Sequence, residues 1–117
     1  MSHTVTVKTE LKNPTIIART CRAMGLKMDE NGRQGTTRGL SVQLPNWQFP
    51  IVIDNQTGVI AYDNYNGHWG DEIELDKFVQ GYVKECTREF ADTEGYMMTE
   101  ESLANGEVKL VLERVSV

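Results

Sequence analysis

Residues Thr4 to Leu11 alternate between polar and apolar, with Val5, Val7, Thr9 and Leu11 on one face, the period of a half-buried strand. At Asn13-Pro14 the pattern changes. Asn suits the N-cap and Pro the first helical position, and Ile16, Ile17, Cys21 and Met24 then recur at helical spacing until Gly25, a helix-ending residue. Leu26 to Arg38 has no period. Leu26 and Met28 could form a brief strand, but Asp29-Glu30-Asn31-Gly32 has turn chemistry, and Gly32, Gly35 and Gly39 loosen the segment, which reads as an exposed loop. Strand alternation returns with Leu40, Val42 and Leu44, and Pro45-Asn46 breaks it. Phe49–Asp54 follows as a strand, with Pro50 suggesting a start near a sheet edge. Asn55–Gly58 forms a hairpin loop and Val59–Asp63 a returning strand.

Past a connection rich in aromatics and glycine at 65–70, Leu75, Phe78, Val79, Tyr82, Val83, Cys86 and Phe90 mark the strongest helix in the chain. Asp71, Glu72, Glu74 and Asp76 crowd its start while Lys84 and Arg88 lie further along, an order that suits the helix dipole. Gly95 closes the region. Tyr96–Thr99 and Val108–Leu112 then flank a turn at Asn105-Gly106. The order is β-α-β-β-β-α-β-β: an α+β fold in which two helices pack on one face of a mostly antiparallel sheet. The 117 residues make one domain, 1–117, large enough to build a core without disulfides or a structural metal.

Composition refines this picture modestly. There is no apolar run of a signal peptide's kind and nothing near the ~20 apolar residues of a spanning helix, so a soluble cytoplasmic setting is expected, with no membrane contact. Cys21 and Cys86 fall on helical apolar stripes and read as buried free thiols of a reducing compartment. The net charge of −5 argues against a general nucleic-acid binder. Yet residues 1–47 carry +4 and the remainder −9, an asymmetry that could orient a partner or promote self-association. Nucleic-acid binding by the basic part would require Arg19, Arg22, Arg33 and Arg38 to converge on one face.

One segment concentrates chemistry. Tyr62, Asp63, Asn64, Tyr65, Asn66, Gly67, His68, Trp69, Gly70 and Asp71 bring two carboxylates, an imidazole, two amides and three aromatics to the junction of a strand and a helix. Three readings stand side by side. His68 with Asp63 or Asp71 could bind a metal or act in acid–base chemistry, making the chain a small metal-assisted hydrolase or ligand-binding enzyme that uses the 62–71 loop, although no recognised metal spacing is present and no cofactor is indicated. Trp69, Tyr65 and Trp47 could form an anchor for a protein partner, a binding role without catalysis. The aromatics could instead cap the core while Asp71 caps the helix. His3 stands alone, and the glycines of 32–39 lack the ending of a phosphate loop.

Several longer strings carry a resemblance. They are Met1-Ser2-His3 with Val7-Lys8-Thr9, Leu44-Pro45-x-Trp47-x-x-Pro50-Ile51-Val52, and Tyr62-Asp63-Asn64-x-x-Gly67-x-Trp69-Gly70-Asp71. Gly95-Tyr96, Thr99-Glu100-Glu101-x-Leu103 and Asn105-Gly106-Glu107-Val108-Lys109-Leu110 continue them. The chain resembles, over essentially its whole length, the hypothetical chloroplast reading frame thirty-five family of cyanobacteria, plastids and other bacteria. The resemblance implies one soluble domain from such a source or from a phage that infects it. The family is a domain of unknown function and brings no catalytic residues. Some members are encoded near an AAA-type ATPase, which implies work within a protein complex.

Overall fold

The computed structural model describes residues 4–8, 11–102 and 108–114. The chain divides into two compact units, Met1–Tyr82 and Val83–Val117. In the first, β1 (Thr4–Lys8), α1 (Pro14–Met24), β2 (Lys27–Gln34), β3 (Thr37–Gln43), β4 (Ile51–Asp54) and β5 (Val59–Asp63) lead through a short 3-10 turn (Tyr65–Gly67) into α2 (Glu72–Glu94). The five strands form one antiparallel sheet in the order β1-β5-β4-β3-β2. α2 carries the chain into the second unit, where β6 (Tyr96–Ser102) and β7 (Val108–Arg114) pair as a separate antiparallel hairpin.

The fold is α+β, as expected, with one strand more than the sequence pattern suggests. The segment read as a loop is β2, paired with β3 from Lys27↔Gln43 to Gln34↔Thr37. Its alternation is hidden for two reasons. As an edge strand it is largely exposed, and two residues, Glu30 and Asn31, stand against Leu40 between the pairs Asp29↔Ser41 and Gly32↔Gly39. That one-residue bulge reverses the in/out pattern part-way along. The turn Gly35-Thr36 has two residues, with only Gly35 (φ 60) at positive φ, the arrangement of a type II′ hairpin. β4, by contrast, is an interior strand. Pro50 precedes it and so removes no ladder hydrogen bond, which is why proline is tolerated beside a central strand.

Helix ends follow their local chemistry. Asn13 Oδ1 accepts from the amides of Thr15 (3.0 Å) and Ile16 (3.2 Å), and Gly25 (φ 69) ends α1 in the left-handed region. Side-chain alternation places Leu40, Val42, Ile51, Ile53, Ile60 and Tyr62 on one sheet face, all buried. Ile16, Ile17, Thr20 and Cys21 of α1 and Leu75, Phe78 and Tyr82 of α2 supply the buried residues of the helical layer. The helices approach closely at Gly81, where an added Cβ would sit 2.8 Å from Met24 Sδ, and the Asn13 amide donates to the Tyr82 hydroxyl at 3.3 Å. Both therefore cover the same face.

In the second unit the expected stripe of α2 is only partly realised, since Val83 and Phe90 are exposed. The helix also continues past the basic residues and has none in its last turn. Lys84 pairs with Glu100, and Arg88 reaches both Glu85 and Glu100. These cations serve the hairpin rather than the dipole. The Asn105-Gly106 turn, residues Thr9 and Glu10 of the expected first strand, and His3 lie outside the described residues. Among the described residues no helix is long and apolar enough to cross a membrane.

Cys21 is a buried free thiol and Cys86 a half-buried one. Burial pushes the Cys21 thiol from 9.0 up to about 11. The folded state thus favours the neutral form, a contribution fully present below the unfolded value and lost as pH rises through the folded one. Between pH 9.0 and about 11 the denaturation midpoint of the native chain should fall more steeply than that of Cys21→Ala, measured in parallel urea titrations.

Candidate functional site

The antiparallel register puts the ends of β3 and β5 and the start of β4 at one end of the sheet. Two connections meet there, residues 44–50 and 64–71. They are tied through their backbones: the Gln48 amide donates to the Trp69 carbonyl at 2.8 Å.

The second connection is shaped by its own polar atoms. Asp63 Oδ1 accepts from the Tyr65 amide (3.2 Å), an Asx turn that redirects the chain after β5. Asn64 is 3% exposed, and its carbonyl accepts from both Gly67 (3.0 Å) and Trp69 (2.9 Å). Its side-chain Nδ2 donates to the Gly70 carbonyl at 3.3 Å. One buried asparagine, through its side-chain amide and its backbone carbonyl, satisfies three backbone groups and holds the loop as a closed unit. Asp71 Oδ1 accepts from Ile73 at 3.0 Å and caps α2.

Trp47 supports the loop from beneath. It is 5% exposed and lies edge-on to Tyr62, with ring centroids 5.5 Å apart. Its Nε1 donates to the Asp71 carbonyl at 3.0 Å, and its own carbonyl accepts from Gln43 Nε2 at 2.6 Å. Gly70 rests directly on the indole: a Cβ there would be 2.3 Å from Cδ2. Tyr62 is buried too, and its hydroxyl is pushed up by burial, then by the negative charges of Glu72 and Asp76.

Above this support lies an aromatic row, its outer members exposed and Trp69 at its centre half-buried. Tyr65 stacks on Trp69 at 4.9 Å, Phe49 meets Trp69 edge-on at 5.3 Å, and His68 tilts against Tyr65 at 5.1 Å. Tyr65 is 39% exposed, Phe49 41%, and His68 is also exposed. Tyr65 (φ 47) and Asn66 (φ 54) both lie in the left-handed region, followed by Gly67 (φ 94). Asn accepts that region readily, whereas the cost for Tyr is roughly 1–2 kcal/mol. The hydrogen bonds around Asn64 hold this conformation, which turns the Tyr65 ring onto Trp69.

The residues singled out in sequence thus separate into two layers. Tyr65, His68 and Trp69 are outside with Phe49; Trp47, Tyr62 and Asn64 are inside. Phe49 was hidden by its inclusion in the strand, although its place one residue before Pro50 sets it outside β4. His68 and Asp71 share a shallow depression with Asn66, Gly67 and Glu72, whereas Asp63 does not line it and is engaged in its turn. Among the described residues no three His, Cys, Asp or Glu side chains come together in a way that could hold a metal ion.

Compared with protein-family models, with curated proteins and with solved structures, the chain matches none.

Replacing Gly70 with Ala tests the support. The added methyl meets the fixed indole ring rather than a flexible chain end, so stability should fall by about 1–3 kcal/mol, with a shift in tryptophan emission. Thermal and urea denaturation followed by fluorescence read both effects.

Proposed function

We propose that this chain is a non-enzymatic binding or accessory protein that holds a protein partner on the aromatic row of Phe49, Tyr65, His68 and Trp69. The observation that carries this reading is the pairing of exposure with rigidity. Large aromatic rings normally go into the core. Here three of them pack on one another, with Tyr65 and Phe49 exposed and Trp69 half-buried between them, and are held by a loop whose hydrogen bonds are internally satisfied. Aromatic side chains fixed before binding lose little entropy on association and dominate binding hot spots. The strain at Tyr65 fits the same account, since positive-φ residues of this kind cluster where a side chain must be aimed.

Acid–base or metal chemistry by Asp63, His68 and Asp71 finds less support, because Asp63 is withdrawn from the depression that the other two share. The setting within this proposal is soluble, in the cytoplasm or plastid stroma, within a protein complex or a homo-oligomer. The source is a cyanobacterium, a plastid or a phage of such hosts. The resemblance of the 44–52 and 62–71 strings suggests that setting.

Trp69→Ala removes the middle of the row and leaves Trp47 and Asn64 in place. Affinity purification of the tagged protein from its natural host should recover a partner with the native chain and lose it with the variant. Direct titration of that partner should show a loss of about thirtyfold or more, the size expected for a hot-spot residue. Recovery of the same partner at equal yield with a folded Trp69→Ala chain would refute the reading.

A further inference from the structure

A second surface lies on the α1–β2 side of the first unit. The apolar stripe of α1 faces the core, and its next stripe contains Thr15, Ala18, Arg19 and Arg22, at spacings of three and four residues. This stripe forms one wall of a groove of about 380 Å³, opposite Met28, Glu30 and Leu40. Arg38 occupies the same sheet face as Leu40, one pleat along β3. Arg33 is its direct cross-strand partner and so shares that face. The four arginines that the sequence scatters over twenty residues therefore gather on one side of the unit.

Their electrostatic situation is unusual. Like charges directly opposite across a ladder are destabilising. Among the described residues Arg22, Arg33 and Arg38 have no ion-pair partner; the Arg33 Nε–H goes to the Gly35 carbonyl at 3.2 Å. Arg19 and Arg22 line the groove together with Glu30 and apolar Met28 and Leu40, and Arg33 and Arg38 extend the positive charge along the sheet face that carries Leu40.

We infer that this groove binds an acidic peptide segment of a partner protein, with carboxylates on Arg19, Arg22, Arg33 and Arg38 and apolar side chains on Met28 and Leu40. Guanidinium suits carboxylate because its planar fork makes paired hydrogen bonds. Recognition runs through side chains, because the bulge at Glu30-Asn31 interrupts the edge of β2 and spoils it as a template for an added strand. A nucleic-acid strand fits less well. No aromatic ring lines the groove to stack a base. Glu30 lines the same groove and repels a continuous run of phosphates, whereas a peptide can space its acids around it. The chain's net charge of −5 also opposes a long polyanion. The site goes beyond the aromatic row, since no residue of the 44–50 or 64–71 connections lines the groove.

The test is fluorescence anisotropy of the full chain with three labelled probes: a peptide alternating Glu and Leu, its Gln–Leu counterpart, and a single-stranded oligothymidylate. The Glu–Leu peptide should bind best. The affinity should fall about tenfold or more in Arg22→Glu/Arg38→Glu and rise in Glu30→Gln. It should be unchanged in Trp69→Ala, which separates this site from the aromatic row. The double variant should remain folded, because Arg38→Glu replaces a like-charge pair with an opposite-charge one and so offsets the loss of Arg22 from the last turn of α1. Tighter binding of the oligothymidylate than of the Glu–Leu peptide at equal salt would overturn the proposal in favour of nucleic acid. Equal binding of the two peptides, no binding, or binding indifferent to the double variant in a folded chain would overturn it outright.

Discussion

The contact between Trp47 and Gly70 governs the rest of the candidate site. A glycine against the face of a buried indole lets two connections close to within hydrogen-bond distance, and the indole N–H fixes where α2 begins by holding the Asp71 carbonyl. Any side chain at position 70 would separate them. Asn64 completes the closure from the other side by occupying the carbonyl of the same glycine. The exposed rings of Tyr65 and Phe49 and the half-buried ring of Trp69 are held at the surface because what lies beneath them is packed and satisfied.

This arrangement sets two different kinds of surface on one small sheet. At one end the aromatic row offers broad, polarisable area with little polar definition. Along the α1 side, a shallow groove with Arg19 and Arg22, and toward the opposite end the pair Arg33 and Arg38, offer charge and geometry instead. The first suits affinity and the second suits orientation, because desolvated aromatics supply hot-spot energy while charges steer encounter. Both surfaces carry an internal cost, strain at Tyr65 in one and the facing pair Arg33–Arg38 in the other. Features that cost stability and contribute nothing to packing are the ones a binding role explains.

Much of the fold was legible in the residue pattern. Asn13-Pro14 and Gly25 bracket α1 because capping is local chemistry, and the alternation of Leu40, Val42 and Leu44 shows β3 because one face of it is buried. β2 was not legible: Lys27–Gln34 is polar, contains a glycine and bends through a bulge, so only its pairing with β3 makes it a strand. The site was legible as a cluster but not as layers. Trp47 and Trp69 are equivalent to a composition argument, and what distinguishes them is that Gly70 packs on one and Tyr65 on the other. Phe49 joined the row unannounced because its neighbours in space come from another connection. The four arginines converge only through a hairpin that the pattern concealed.

The central claim is that the aromatic row stands on a rigid base. Native-state hydrogen exchange of the Trp47 indole N–H and of the Gly67 and Trp69 amides tests it most directly. These groups are bonded to Asp71 and Asn64. They should exchange about a hundredfold or more slowly than in unstructured chain, while the amide of exposed Asn66 sets the fast reference. Exchange of all of them at unstructured rates in a folded protein would mean that the loop is not held, and the account of a pre-formed binding surface would be wrong.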